Sequence, residues 1–197
     1  MKLIIDIPEE QIKKSLEESK SIHEDEGEKG RSREMSIAKR VAYLGIGIAL
    51  YVVLGCVMNI PLLANSHLQT DLGYIVFGVY CYLFGWMGVL VGAIGCVLES
   101  LLISGWFPVG WLAGQILIGI MCGIIYKRET NKIVHIVVTI LAVFVGIAVI
   151  KTIIESVLYG IPLEVKFMKN FVAFIADTIP MLIGLALGYR LKREKIV

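Results

Sequence analysis

The sequence predicts an all-α, polytopic membrane protein, a bundle of six transmembrane helices behind a short charged N-terminal tail. Three observations carry that prediction. Apolar runs of about 20 residues, the length that crosses a hydrocarbon core, recur from residue 41 to near the C-terminus. The composition is 57% hydrophobic and only 18% charged over 197 residues, with a mean hydropathy of +0.78, which a soluble globule does not show. The lysines and arginines between the runs fall almost wholly on one side of them.

The elements follow in order. Residues 1–35 hold 7 of the 19 Lys/Arg and 10 of the 17 Asp/Glu. A short strand running into a helix start at Pro8 is followed by a charged, Ser-rich stretch with few apolar residues, which reads as a flexible cytoplasmic tail. Its first apolar run, residues 3–7, is too short for a secretory signal. Residues 36–197 form the membrane domain. Its spans are predicted at 41–60, 71–84, 86–102, 108–126, 133–158 and 164–189. The run from 72 to 102 is too long for one helix and breaks at Phe84-Gly85-Trp86-Met87-Gly88, where two glycines flank an interfacial aromatic. The second span is short, as suits a helix packed inside the bundle.

Six spans put both termini on one side. Lys39 and Arg40, then Lys127, Arg128 and Lys132, then Arg190, Lys192, Arg193 and Lys195 all fall on that side. The opposite loops, 61–70 and 104–107, hold no Lys or Arg, and Lys166 and Lys169 are a local exception. Both termini are therefore expected in the cytoplasm. The four cysteines lie within or at the ends of apolar segments without CxxC spacing and read as small packing residues.

Ionisable and polar groups at membrane depth are expensive and point to function. Glu99 lies about 20 Å along the third span and Gln115 about 10 Å below the outer end of the fourth. Lys151 and Glu155 sit one turn apart near the outer end of the fifth span, and Asp177 lies about mid-membrane on the sixth, with Asn170 above it. The outer loops and helix ends add Asn65, His67, Asp71, Trp106 and Trp111. These groups share the outer half of the bundle, which fits a ligand pocket open to the outside better than a channel polar along its whole length. Plainer roles exist for each: a self-neutralised Lys151–Glu155 pair, Gln115 as interhelical glue, and the two tryptophans as belt anchors.

Small residues recur at four-residue spacing, as at Gly88/Gly92, Gly110/Gly114 and Gly184/Gly188, and let helices approach closely. The pair Gly45 and Ala49 makes a smooth face near the cytoplasmic end of the first span, suited to another subunit. Motifs of zinc hydrolases, serine hydrolases and P-loop ATPases are absent from the sequence, as is any Cys/His cluster. No enzymatic activity, cofactor, metal or nucleic-acid partner is expected.

Residues 37–126 resemble the substrate-binding S component of energy-coupling factor (ECF) vitamin transporters. The resemblance rests on Pro61 and its polar outer loop, Asp71-Leu72-Gly73-Tyr74-Ile75, the Gly-rich run from Tyr82 to Ala93, Glu99, and Phe107-Pro108-Val109-Gly110-Trp111-Leu112-Ala113-Gly114. The family has an Ala-xxx-Ala face on its first helix for a partner; here Gly45-xxx-Ala49 stands in its place. The resemblance implies a six-helix subunit that binds a vitamin-like small molecule from outside and delivers it through a shared T component carrying two ABC-type ATPases. Two substrate chemistries stay open. Carboxylates with Trp suit a heterocycle bearing N–H donors, such as a pterin, a queuosine precursor or a pyrimidine. Lys151, Lys166 and Lys169 suit a carboxylate or phosphate. The rival reading is a small stand-alone secondary transporter.

Overall fold

The computed structural model describes residues 37–56, 60–61, 69–128 and 131–194. The predicted tail and two candidate residues, Asn65 and His67, lie outside the described residues. The chain divides into two compact units, Met1–Tyr43 and Leu44–Val197, and the packing below is that of the second.

Six helices are described. They are α1 (Ile37–Cys56), α2 (Gly73–Phe84), α3 (Trp86–Ser104), α4 (Val109–Arg128), α5 (Lys132–Tyr159) and α6 (Leu163–Arg193). Ahead of α2, the two-residue strands β1 (Ile60–Pro61) and β2 (Gln69–Thr70) pair antiparallel, Ile60 opposite Thr70. All the helices except α2 are long and apolar enough to cross a membrane, and the chain is a helical, multi-pass membrane protein. Large apolar side chains such as Leu102, Val157 and Met168 stand more than 65% exposed on its flanks, where lipid rather than water is their favourable neighbour.

The 12 residues of α2 rise about 18 Å, well short of a 30 Å core. Its place explains the shortfall. Tyr74, Phe77 and Cys81 are fully buried, so the helix is wrapped by protein rather than lipid. The chain breaks after α2 at Gly85, whose φ of 61° is readily reached only without a side chain. α5 starts at Asn131, whose Oδ1 accepts the Ile133 N–H at 3.0 Å as a helix cap.

Small residues decide how close the helices come. A methyl group on Gly184 of α6 would sit 2.2 Å from the Ile75 carbonyl oxygen of α2, and one on Gly114 of α4 would sit 2.8 Å from the Gly146 carbonyl of α5. Backbones touch at both crossings. Among the described helical glycines the exception is Gly45, where an added methyl meets nothing within 4 Å.

Two features had no sequence signal. Residues Phe144–Lys151 of α5 form an eight-residue π-helix. The wider turn changes which residues face inward and leaves Ile147, Ala148 and Lys151 buried. The end of the bundle carrying the basic residues also holds a buried polar cluster where the sequence reads as almost wholly apolar. Tyr126 hydrogen-bonds Thr139, Thr139 Oγ1 donates to the His135 carbonyl at 2.7 Å, and His135 Nδ1 pairs with the Tyr189 hydroxyl.

Candidate substrate pocket

The helices alternate in direction, so the α3–α4 turn and the α5–α6 turn share one end of the bundle, opposite Lys127, Arg128, Arg190 and Lys192. At that end lies a cavity of about 270 Å³. Helical spacing explains its walls. Cys96, Glu99, Ser100, Ile103 and Ser104 fall on one face of α3, and Pro108, Trp111 and Gln115 on one face of the α4 entry. Asp71, just ahead of α2, and Asp177 of α6 complete the lining.

A hydrogen-bonded chain ties four elements together at this cavity. Gln115 Nε2 donates to the Tyr51 hydroxyl at 3.0 Å, and Tyr51 donates to Asp71 Oδ2 at 2.8 Å. The Gly73 N–H donates to Asp71 Oδ1 at 2.7 Å, so the same carboxylate also caps the start of α2. The Asp71 N–H in turn donates to Asp177 Oδ1 at 3.2 Å. Glu99 hydrogen-bonds the Asp71 carboxyl. Gly55 of α1 makes room for Glu99: a methyl there would lie 2.4 Å from its carboxylate.

Among the described residues three buried side-chain polar atoms lack a partner: Gln115 Oε1, Asp177 Oδ2 and Tyr74 Oη. The first two belong to lining residues that are each only 1% exposed. A buried acceptor without a donor costs about 1–3 kcal/mol, so these two oxygens can accept from a donor that the protein does not supply.

Lys151, Glu155 and Asn170 form a second cluster against Trp111 and are not on the cavity wall. Lys151 Nζ sits 3.6 Å from the Trp111 ring centroid, donates to Asn170 Oδ1 at 2.8 Å and lies 3.8 Å from Glu155. Lys166 reaches Glu155 at 3.0 Å, and Asn170 Nδ2 donates to Thr152 at 3.0 Å. Trp106 stands 72% exposed beyond the wall; its carbonyl accepts the Ser100 hydroxyl at 3.0 Å. Sequence reasoning missed Tyr51, the hub of the network. Its only signal is a tyrosine in the middle of an apolar span. Among the described residues no group of three His, Cys, Asp or Glu is placed to hold a metal ion.

Apolar helices enclosing a polar, solute-sized cavity at one end define a membrane protein built to hold a small molecule. The chain belongs to the S-component family of ECF transporters: the family model described as ECF-type riboflavin transporter, S component, matches residues 35–193. It is thus of the class of substrate-binding membrane subunits of transporters. Similar curated proteins include a UPF0397 protein of Lactococcus lactis subsp. cremoris strain SK11, 30% identical over 169 residues, 79% of this chain and 88% of the relative. UPF0397 protein YdcD of L. lactis subsp. lactis strain IL1403 is 31% identical over 159 residues, 74% and 85% of the two chains. A UPF0397 protein of Streptococcus agalactiae serotype Ia is 26% identical over 173 residues, 80% and 93%.

Proposed function

We propose that this chain captures a vitamin-like small molecule from outside a bacterial cell and delivers it through an ECF T component driven by two ABC-type ATPases. The observation that carries this reading is the cavity itself, with unpartnered buried acceptors of Gln115 and Asp177 on its wall. It lies at the end opposite the basic residues, which the positive-inside rule assigns to the cytoplasm. Both termini are then cytoplasmic, with α2 counted as a sixth, protein-wrapped span. Asp71, Glu99, Trp111, Gln115 and Asp177 line the site. Lys151, Glu155 and Asn170 hold Trp111 in place. Trp106 belongs to its outer approach, and Asn65 and His67, which lie outside the described residues, are ligand-binding candidates from the sequence alone.

The energy source has to come from elsewhere, because the sequence has no nucleotide-binding motif. An exposed stripe of α1 offers the docking face: Gly45, Ile46, Ala49, Leu50 and Val53 share one side and are all exposed. Coexpression with a T component and two ATPases tests the whole proposal. Uptake into vesicles is expected only with all partners and ATP. The π-helical stretch Phe144–Lys151 favours one rival, since secondary transporters break their helices near the substrate site. Uptake by the purified chain alone in liposomes would establish that rival and overturn the proposal.

A further inference from the structure

Donors and acceptors are unequally spent around the cavity, and this imbalance selects a ligand. Gln115 Nε2 is engaged by Tyr51, the Tyr51 hydroxyl by Asp71, the Asp71 N–H by Asp177, and the Ser100 hydroxyl by the Trp106 carbonyl. The second Gln115 N–H, the Trp111 indole and the Ser104 hydroxyl remain as neutral donors on the lining. Against them stand Gln115 Oε1 and Asp177 Oδ2, buried and unpartnered, together with the carboxyl of Glu99. No Lys or Arg is among the lining residues. Lys151, the nearest candidate for binding an anion, is already held by Glu155, Asn170 and the face of Trp111. A phosphate or carboxylate entering this space would meet carboxylates and no free cation, a like-charge arrangement that costs several kcal/mol.

We infer that the cavity takes a planar nitrogen heterocycle presenting an N–H-donor edge, of the aminopyrimidine or aminopteridine class, set against Gln115, Asp177 and Glu99. The volume of about 270 Å³ falls just below the usual range of ligand pockets, which starts at about 300 Å³, and suits one or two fused rings. An amidine-like edge, two N–H groups side by side, matches a carboxylate as a bidentate pair. The flavin ring named in the family description presents two carbonyls around a single N–H. Its one N–H can pair with only one of the Asp177 and Gln115 acceptors, and its carbonyls would face the other without a donor. A site built for donors rejects an analogue that lacks them because its own polar groups are left unpaired.

This inference rests on the outer-pocket reading above, and the test separates the two. The full chain in nanodiscs is titrated with 2,4-diaminopyrimidine and 2-amino-4-oxopteridine, then with uracil, orotate and riboflavin, following tryptophan fluorescence and calorimetry. At least one donor-edge probe is expected to bind at least tenfold tighter than each of the other three, and Asp177→Asn to weaken it by about tenfold or more. The probe ranking uses the unaltered chain, so it stands even if a variant fails to fold. Equal or tighter binding of uracil, orotate or riboflavin, or no binding of either donor-edge probe, overturns the inference. If one of those three wins and Gln115→Met abolishes its binding, the pocket reading survives alone. Donor-edge binding unchanged in both Gln115→Met and Trp111→Ala would place the site elsewhere and remove both.

Discussion

At the scale of single residues, the pocket is held by side chains whose partners come from distant parts of the chain. Tyr51 lies 64 positions from Gln115 and 20 from Asp71. Tyr51→Phe keeps the ring but removes the hydroxyl, leaving Gln115 Nε2 without its acceptor and Asp71 Oδ2 without the Tyr51 donor. The expected loss is about 1–3 kcal/mol of stability, read by denaturation in detergent, with weaker ligand binding alongside. The Lys151–Glu155–Lys166 triad makes a finer prediction. Glu155 answers two cations, so Glu155→Gln strands both, whereas Lys151→Met leaves Glu155 with Lys166 at 3.0 Å. Breaking a buried pair costs about 3–5 kcal/mol; Glu155→Gln should approach that range and Lys151→Met fall below it. Equal losses in the two variants would show that the triad does not act as a charge-balanced unit.

At the scale of elements, glycines with the same spacing do different work. Gly184 abuts the Ile75 carbonyl, so Gly184→Ala should push α6 off α2 and cost about 1–3 kcal/mol through overpacking. Gly45 has open space around it. Gly45→Ala should leave stability unchanged or slightly raised, since alanine favours a helix over glycine by about 1 kcal/mol. The pair of melting curves checks both. The small-residue spacing was legible in sequence, but which pairs close the bundle and which stay open was not. Ala49→Trp carries this to function. It adds bulk on an exposed face of α1 away from the cavity lining, so ligand binding should persist while ATP-dependent uptake is lost. Binding and uptake falling together would mean that the change damages the subunit itself.

At the scale of the whole molecule, topology is the quantity to measure. Ser104, at the exposed end of α3, and Glu194, just past α6, lie at opposite ends of the bundle. In a background with Cys56 replaced, a cysteine at Ser104 should react with an impermeant thiol reagent added outside intact cells. One at Glu194 should react only after the membrane is opened. Reaction of both from outside would refute the cytoplasmic assignment of the C-terminus.

The sequence by itself determined the helical membrane class, the positions of the long apolar helices, the break at Gly85, the basic end, and the polar positions Asp71, Glu99, Gln115 and Asp177. Each of these follows from a local property, such as the length of an apolar run, a glycine between two helices, or a charge where lipid should be. Only the tertiary structure decided that Tyr51 joins Gln115 to Asp71, that Lys151 is consumed by its neighbours, and that α5 widens into a π-turn. It also decided which small-residue faces meet. These outcomes depend on contacts between helices up to 106 residues apart in the chain. Local periodicity states which way a side chain leans from its own helix; only packing decides what it meets there.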